Sequence, residues 1–267
     1  MDLRRRRLVL DGTVFGIVTG TARHHPLVPT APVPTVVLVH GIGMSHRYHR
    51  RLLRMLSAEA PVVAVDLPGF GGLPKPREDV DIGRMARLLI QLLPIVCGGP
   101  VILVGHSMGA QWAAEVAHLA PHLVRSLVLI GPVADDEHRS LPAQAFALAL
   151  DSVGESPATN ALVFADYLRC GVPWYLAQAR HMLRYALEDV VGGLLMPVLV
   201  IRGLNDPIAG SAWCRRLRDR AVVSHLVEIP GGRHVVHRSE PRAVCSAILD
   251  HAGVAPARAL ASDDGER

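Results

Sequence analysis

Short runs of β-branched and other apolar residues alternate along the chain with longer amphipathic stretches. Near-continuous Val, Ile and Leu runs are typical of strands buried on both faces of a parallel sheet, and the stretches between them predict crossover helices. This order predicts an α/β fold. The strand-like runs are residues 36–39, 62–65, 101–104, 127–130, 198–201 and 226–229. The helices are predicted at about residues 46–59, 81–95, 108–119, 211–220 and 240–251.

The rhythm changes at the N-terminus and again after Pro132. Residues 3–19 predict one or two antiparallel edge strands, which we prefer to a secretory signal because Asp11 interrupts the apolar run. Between Pro132 and Gly193, two or more helical patterns follow each other without a strand. Such an insertion is expected over the carboxyl edge of the sheet, and we interpret residues 133–192 as a cap segment. The predicted division is a core domain of residues 1–132 and 193–253, the cap segment, and a disordered tail of residues 254–267.

Composition and charge restrict the function classes. A chain of 267 residues suffices for one large domain with an insertion. The formal net charge is +4, but the basic residues are scattered apart from residues 4–7, and no interleaved aromatics accompany them, so we predict no nucleic-acid partner. No apolar stretch is long enough for a membrane span. The four cysteines form no CxxC pair, which favours a cytoplasmic protein with no metal and no other cofactor.

The sharpest candidate for chemistry is a serine between a strand and a helix. Residues 101–110 read VILVGHSMGA, a strand running into Gly-X-Ser-X-Gly and then into small helical residues. The pattern is typical of a nucleophile elbow, in which the serine lies on a strained turn and Gly105 and Gly109 must lack a Cβ. The alternative is a glycine-rich turn with an incidental serine. We predict Ser107 as a nucleophile, with His106 as part of the supporting turn.

A serine nucleophile needs a base, and the base needs a carboxylate that orients it. Residues 198–207 read VLVIRGLNDP and place Asp206 just after a buried strand, at the sheet edge where Ser107 is expected. The last predicted strand is followed by PGGRHVVH, and we choose His234 from this Gly-rich loop as the base. The alternatives are His237 for the base and Asp135 or Asp136 for the acid.

A tetrahedral intermediate also needs two N–H donors for its oxyanion. Met108, directly after the serine, would supply one at a helix N-terminus. The loop VHGIG after the first long parallel strand would supply the other. In that loop we favour the N–H of Ile42, with that of Gly43 as the alternative, and we expect His40 and Gly41 to support the turn. The loop lacks the residues of a phosphate-binding loop.

Five segments, VHGIG, DLPGFG, LVGHSMGA, PVLVIRGLND and PGGRHVVH, resemble in order and spacing those of the α/β-hydrolase superfamily. The resemblance spans about residues 33–250. It implies an eight-stranded, mostly parallel sheet, a helical cap after the sixth strand, and hydrolysis through an acyl-enzyme. Many members continue DLPGFG with a serine, whereas this chain continues with Gly72, Leu73 and Pro74, which affects the expected shape of the substrate site.

The function hypothesis is hydrolysis of a carboxylic ester or thioester with an apolar acyl group. Carbon–carbon bond hydrolysis or acyl transfer with the same side chains is the alternative, and a non-catalytic ligand-binding protein is the alternative of another class. The sequence leaves the oligomeric state open. Several cap residues are large and apolar enough either to line an acyl pocket or to pack the cap onto the core. They are Phe164, Tyr167, Trp174, Tyr175, Met182 and Tyr185.

Overall fold

The computed structural model describes residues 3–20 and 33–254. Within these residues an eight-stranded sheet has the order β1-β2-β4-β3-β5-β6-β7-β8, with β2 antiparallel to both its neighbours and all pairings among β3 to β8 parallel. The predicted fold is therefore confirmed. The strands are β1 (Leu3–Leu10), β2 (Thr13–Gly20), β3 (Val36–Val39), β4 (Val62–Asp66), β5 (Val101–His106), β6 (Val124–Ile130), β7 (Val198–Gly203) and β8 (Ser224–Ile229).

Helices cover both faces of the sheet, and four more fill the fully described stretch between β6 and β7. The helices of the core are α1 (His46–Glu59), α2 (Ile82–Val96), α3 (Met108–Leu119), α8 (Ser211–Arg220), α9 (Val236–Ser239) and α10 (Pro241–Ala252). Those of the cap segment are α4 (Leu141–Gly154), α5 (Pro157–Cys170), α6 (Val172–Arg184) and α7 (Leu187–Gly192).

Alternation along the strands divides the apolar core between the two faces of the sheet. Val37 and Val39 of β3 join the apolar cluster that contains residues of α2, α3 and α8. Val36 and Leu38 of the same strand join the cluster that contains residues of α1 and α10. Because successive side chains of a strand point to opposite faces, a strand covered by helices on both sides must be apolar at every position.

A few features lie at the limits of what the pattern could predict. The segment from residue 3 forms two strands, and the short helix α9 was not expected, since four residues are too few to show a helical period. Residues 255–267, which include nearly all of the predicted tail, lie outside the described residues. The four cysteines are unpaired. Among the described helices, none has the length and apolarity to cross a bilayer.

Candidate active site

Ser107 lies on the sharp turn between β5 and α3. Its backbone angles, φ of 57° and ψ of −125°, belong to a region that residues other than glycine rarely adopt. The turn is possible because a Cβ on Gly105 would lie 2.2 Å from the carbonyl oxygen of Gly109, and one on Gly109 would lie 2.5 Å from that of His40. Both glycines are therefore required by close backbone contact, as the elbow pattern predicts.

The structure brings the three predicted side chains together at the carboxyl edge of the sheet. His234 Nε2 lies 3.1 Å from Ser107 Oγ, and His234 Nδ1 lies 3.0 Å from Asp206 Oδ2. The carboxylate can only accept, so Nδ1 carries the hydrogen and Nε2 is left to accept from the serine hydroxyl. The other oxygen of Asp206 accepts from the main-chain N–H groups of Ile208 at 2.8 Å and Ala209 at 3.0 Å.

The loop that carries Asp206 is held by an arginine that sequence reasoning missed. Arg202, at the end of β7, is 4% exposed and donates to the carbonyl oxygens of Leu204, Asp206 and Ala209. It also binds Glu228 at 2.7 Å. A charged residue in the apolar run VLVIRG was a visible signal, because a buried guanidinium requires such partners.

The electrostatics of the pair suit a base and its orienting acid. Burial alone would lower the pKa of His234, but Asp206 and then Asp151 and Glu155 outweigh it and raise that pKa above the usual value. Burial alone would raise the pKa of Asp206, but His234 and two main-chain N–H groups lower it. The acid is therefore ionised at neutral pH, and the imidazole is stabilised when it takes a proton.

The rival residues lie in other surroundings. Both ring nitrogens of His237 are buried without a hydrogen-bond partner, and burial holds its pKa well below the usual value. Its ring packs on that of His106, with the centroids 4.4 Å apart. Asp135 and Asp136 each lie 2.6 Å from Arg216. Among these candidates, His234 is the histidine beside the serine and Asp206 the acid beside that histidine.

A buried tyrosine connects the predicted oxyanion loop to the base. Gly41 N–H donates to Tyr48 Oη at 2.7 Å, the tyrosine hydroxyl lies 2.8 Å from His106 Nδ1, and His106 Nε2 lies 2.9 Å from the carbonyl oxygen of His234. Since a carbonyl can only accept, Nε2 carries the hydrogen and the tyrosine donates to Nδ1. Burial lowers the pKa of His106 to about 3, which keeps this ring neutral. No local pattern marks Tyr48.

The VHGIG loop lies directly against the serine. A Cβ on Gly41 would be 2.9 Å from Ser107 Cβ. The N–H of Gly41 is used by Tyr48, which leaves the predicted donors Ile42 and Gly43 in this loop. Met108 is the first residue of α3, on the other side of the serine. The donor role of Ile42 and Met108 stays a prediction.

His40 stabilises the VHGIG loop by a hydrogen bond to its main chain. Its Nε2 accepts from the N–H of Leu67 at 3.0 Å, so its Nδ1 carries the hydrogen and donates to the carbonyl oxygen of Gly41 at 2.8 Å. Burial lowers the pKa of His40, so the neutral ring that this arrangement needs is the favoured form. These two hydrogen bonds support the predicted role of His40 in stabilising the loop.

A cavity of about 640 Å³ opens at Ser107 and His234, between the core loops and the cap segment. Of the six large cap residues, Tyr167, Tyr175 and Met182 line it. Trp174 instead packs on Gly69, and the hydroxyl of Tyr185 binds Glu115. Five of the six thus divide between the two roles that the sequence left open, whereas Phe164 is 64% exposed and takes neither. Apolar side chains on the wall include Ile42, Met44, Val133, Leu141, Leu148, Val163, Val172, Leu176, Ala179 and Ile208.

One acidic cluster outside this cavity has the residue types of a metal site. Atoms of Asp135, Glu137 and His138 lie within 4.8 Å of one another. Arg216 already pairs with Asp135 and lies 3.3 Å from Glu137. Because the guanidinium balances the acidic charge, this cluster carries no metal proposal.

Residues 36–247 match the family model described as the alpha/beta hydrolase family. This chain belongs to the alpha/beta hydrolase family. The resemblance seen in the sequence motifs is therefore confirmed, and the chain is a hydrolase of that family.

Individual alpha/beta hydrolases resemble the chain over most of its length. The 2-(acetamidomethylene)succinate hydrolase of Mesorhizobium japonicum is 25% identical over 81% of this chain and 87% of its own length. The biotin biosynthesis bifunctional protein BioHC of Cellvibrio japonicus is 28% identical over 81% of this chain, which spans only 47% of that protein. The enol-lactonase structure from Burkholderia xenovorans LB400 superposes with a TM-score of 0.77, covers 92% of this chain and 99% of its own, and is 18% identical, which shows the fold alone.

Proposed function

We propose that this alpha/beta hydrolase cleaves a carboxylic ester or thioester with an apolar acyl group through an acyl-enzyme. The proposal is carried by the hydrogen-bonded chain from Asp206 through His234 to Ser107, with steps of 3.0 and 3.1 Å, at an apolar cavity of about 640 Å³. A serine on a strained turn beside a carboxylate-held imidazole meets the requirements of acyl transfer. An apolar cavity at the same point favours an acyl group of the same character.

In the first half-reaction, Ser107 Oγ attacks the carbonyl carbon while His234 Nε2 takes the hydroxyl proton. The tetrahedral oxyanion accepts hydrogen bonds from the main-chain N–H groups of Ile42 and Met108. When the intermediate collapses, the bond to the leaving oxygen or sulfur breaks, and His234 gives its proton to the leaving group. Asp206 keeps the imidazole oriented and stabilises its protonated form.

In the second half-reaction, water replaces the leaving group. His234 takes a proton from the water as its oxygen attacks the acyl carbon, and the same proton returns to Ser107 Oγ when the ester bond to the enzyme breaks. The products are the free acid and the original enzyme. No cofactor is needed to balance either step.

Carbon–carbon bond hydrolysis or acyl transfer remains the second candidate, because the same three side chains serve both. The name of the M. japonicum relative gives a substituted succinate, not a simple ester, as its substrate. A binding protein without turnover is the candidate of another class, and the labelling experiment below separates it from both.

Labelling by a fluorophosphonate tests the nucleophile. We expect wild type to be labelled and Ser107→Ala to be unlabelled, with a loss of turnover on the order of 10⁴ to 10⁶. Equal labelling of both proteins, or none of either, would contradict the proposal. Nitrophenyl esters of increasing acyl length, the matching thioesters and a vinylogous diketone then distinguish the ester and carbon–carbon reactions.

The two histidines of the base loop form a matched pair for the base. We expect His234→Ala to lose about 10⁴-fold or more in kcat, and His237→Ala to retain turnover, since its nitrogens contact neither Ser107 nor an acid. Because the pKa of His234 is raised, the neutral base is lost as pH falls through that value, and kcat/KM of wild type should fall on the acidic side. The reverse behaviour of the two variants would reassign the base.

A further inference from the structure

A carboxylate of the cap segment lies against the main chain of the proposed base. Asp151, near the end of α4, is 3% exposed, and its Oδ1 accepts a hydrogen bond from the main-chain N–H of His234 at 3.1 Å. The same oxygen lies 3.4 Å from Arg233 Nε. One side chain of the cap thus contacts two successive residues of the base loop.

The end of α4 is fitted to this loop by further contacts. Arg233 Nη2 donates to the carbonyl oxygen of Leu150 at 2.7 Å. A cation is favourable there, because the last carbonyl groups of a helix carry partial negative charge. The guanidinium also occupies the space that Gly154 leaves free, since a Cβ on that glycine would lie 2.2 Å from Arg233 Cζ. The docking of α4 therefore involves both the charge and the shape of the base loop.

The position of Asp151 is costly for a carboxylate. Burial, and the negative charge of Asp206 nearby, raise its pKa, whereas His234 and Arg233 lower it. Asp151 also lines the largely apolar cavity beside the serine. If the residue served only to accept one hydrogen bond, a neutral amide would do so at a smaller desolvation cost. The negative charge pairs with Arg233 and also raises the pKa of His234, whose imidazole takes a proton in the proposed reaction.

We propose that Asp151 is a positioning residue that holds His234 through its main-chain N–H, so that docking of cap helix α4 and assembly of the base are a single event. Asp206 orients the His234 ring through Nδ1, and Asp151 fixes the backbone of His234 through its main-chain N–H. Withdrawal of α4 would remove a hydrogen bond and a negative charge from His234 together. The inference rests on the proposed function, because it assigns His234 as the base.

Other charged and titratable groups face His234 and must stay unchanged in the test. Asp206 follows β7, His106 ends β5, His237 lies on α9, and Glu155 follows α4. Asp151→Asn leaves all of these in place and keeps an oxygen that can accept from the N–H. Asp151→Ala removes both the charge and the acceptor. The matched control is Asp189→Asn, because Asp189 is an exposed carboxylate of the cap segment that pairs with Arg220 at 3.1 Å.

The readouts are kcat and KM across pH, the rate of labelling by a fluorophosphonate, and the melting temperature. For Asp151→Asn we expect a smaller loss of kcat/KM at alkaline pH than for Asp151→Ala, and an acidic limb displaced to lower pH by about half a unit, because the protonated imidazole loses a neighbouring charge. For Asp151→Ala we expect a loss of about tenfold or more in kcat and in labelling rate, with a smaller change in KM. Asp189→Asn should match wild type in all of these.

Two results would overturn the inference. In the first, the acidic limb of the kcat/KM profile of Asp151→Asn lies at the same pH as in wild type, and Asp151→Ala has the kcat of wild type. The other is an equal loss of activity in both variants with a lower melting temperature and an unmoved limb, which indicates a structural role alone. If wild type itself is not labelled, the proposed function fails first. If wild type is labelled and the Asp151 variants behave like it, only this inference fails.

Discussion

Helix α2 of the core and helices α4 and α5 of the cap segment have similar lengths but bury opposite kinds of side chain. The 15 residues of α2 bury an apolar face made of Ile, Met, Ala and Leu. The 14 residues of α4 bury Gln144 and Asp151, and those of α5 bury Thr159 and Asp166 together with a cysteine. Several of their large apolar side chains are exposed instead, such as Phe146, Leu150, Val153, Phe164 and Leu168, and others such as Leu148 and Val163 are only partly buried.

The difference teaches that directional polar contacts have a larger share in the attachment of α4 and α5 than in the packing of α2. The core is stabilised by non-directional burial of apolar area, which any well-packed set of side chains supplies. Helices α4 and α5 add specific polar contacts, such as Asp166 with Ser45 at 2.7 Å and with Arg47 at 2.8 Å, to the apolar packing of side chains such as Leu148 and Val163. The turn of Ser107 therefore depends on the apolar core, whereas the cavity wall depends also on a small number of directional contacts.

The largest expected effect is on folding and concerns the core. Leu89→Ala in α2 removes a side chain with 0% exposure and should lower the free energy of unfolding by about 2–5 kcal/mol. Leu168→Ala in α5 is the matched control, because this leucine is 67% exposed, and it should change the free energy by less than about 0.5 kcal/mol. Urea denaturation measures both. Similar losses in the two variants would remove the contrast between the regions.

A glycine of the predicted oxyanion loop tests the contact between the regions. Gly43 has a φ of +74°, and a Cβ there would lie 2.5 Å from Tyr167 Cδ1 in the cap segment. Gly43→Ala should displace the tyrosine and reduce kcat/KM by about tenfold or more, since it also alters the loop beside Ser107. Steady-state kinetics and urea denaturation are the measurements.

Gly12 supplies the control for backbone strain. It has the same φ of +74°, but a Cβ there would meet nothing within 4 Å. Gly12→Ala should therefore show the conformational cost of a positive φ, roughly 1–2 kcal/mol, with no change in kcat/KM. If the two variants have equal activities, Tyr167 does not depend on Gly43 for its position.

The smallest expected effect concerns a polar defect within the core. Burial lowers the pKa values of His49 and His237 well below the usual value, so these rings bind protons more weakly in the native state than in the unfolded chain. Stability from these rings is therefore present above about pH 6.5 and is lost as pH falls towards the lowered values. His237→Phe should raise the free energy of unfolding by about 1 kcal/mol and reduce the acid sensitivity.

Denaturation at pH 8 and pH 5.5 tests this effect, with the exposed His122→Phe as the control. The control should have the pH dependence of wild type. A decrease in stability of His237→Phe at both pH values would show that the imidazole packs better than a phenyl ring and that its unpartnered nitrogens cost little.

The sheet and the elbow could be predicted because their signals are local. A run such as residues 101–104 shows its burial within four positions, and the glycines beside Ser107 are required by contacts of the turn itself. The exposed apolar side chains of α4 and α5 could not be predicted, because the apolar face of an amphipathic helix is expected to be buried. The large apolar cap residues were expected either to line an acyl pocket or to pack the cap onto the core, and one of them, Phe164, is exposed.

The contributions of Tyr48 and Asp151 escaped prediction because their partners are distant in sequence. Tyr48 and His106 are 58 positions apart, and Asp151 and His234 are 83 positions apart. Only the folded chain brings them together, and each residue type is unremarkable in its own segment. Ser107, Asp206 and His234 could be predicted from the sequence because each follows a strand, and parallel strands end at one edge of the sheet.

The bridge through Tyr48 has a consequence for how the site tolerates change. Its three links run in one direction, because each group that receives a hydrogen at one atom supplies one at another. Loss of the phenol oxygen would therefore strand two partners simultaneously, an amide hydrogen on the loop beside the serine and a lone pair on His106. Tyr48 thus links the VHGIG loop to the loop of His234, so substitutions on either side must preserve the direction in which each hydrogen is donated.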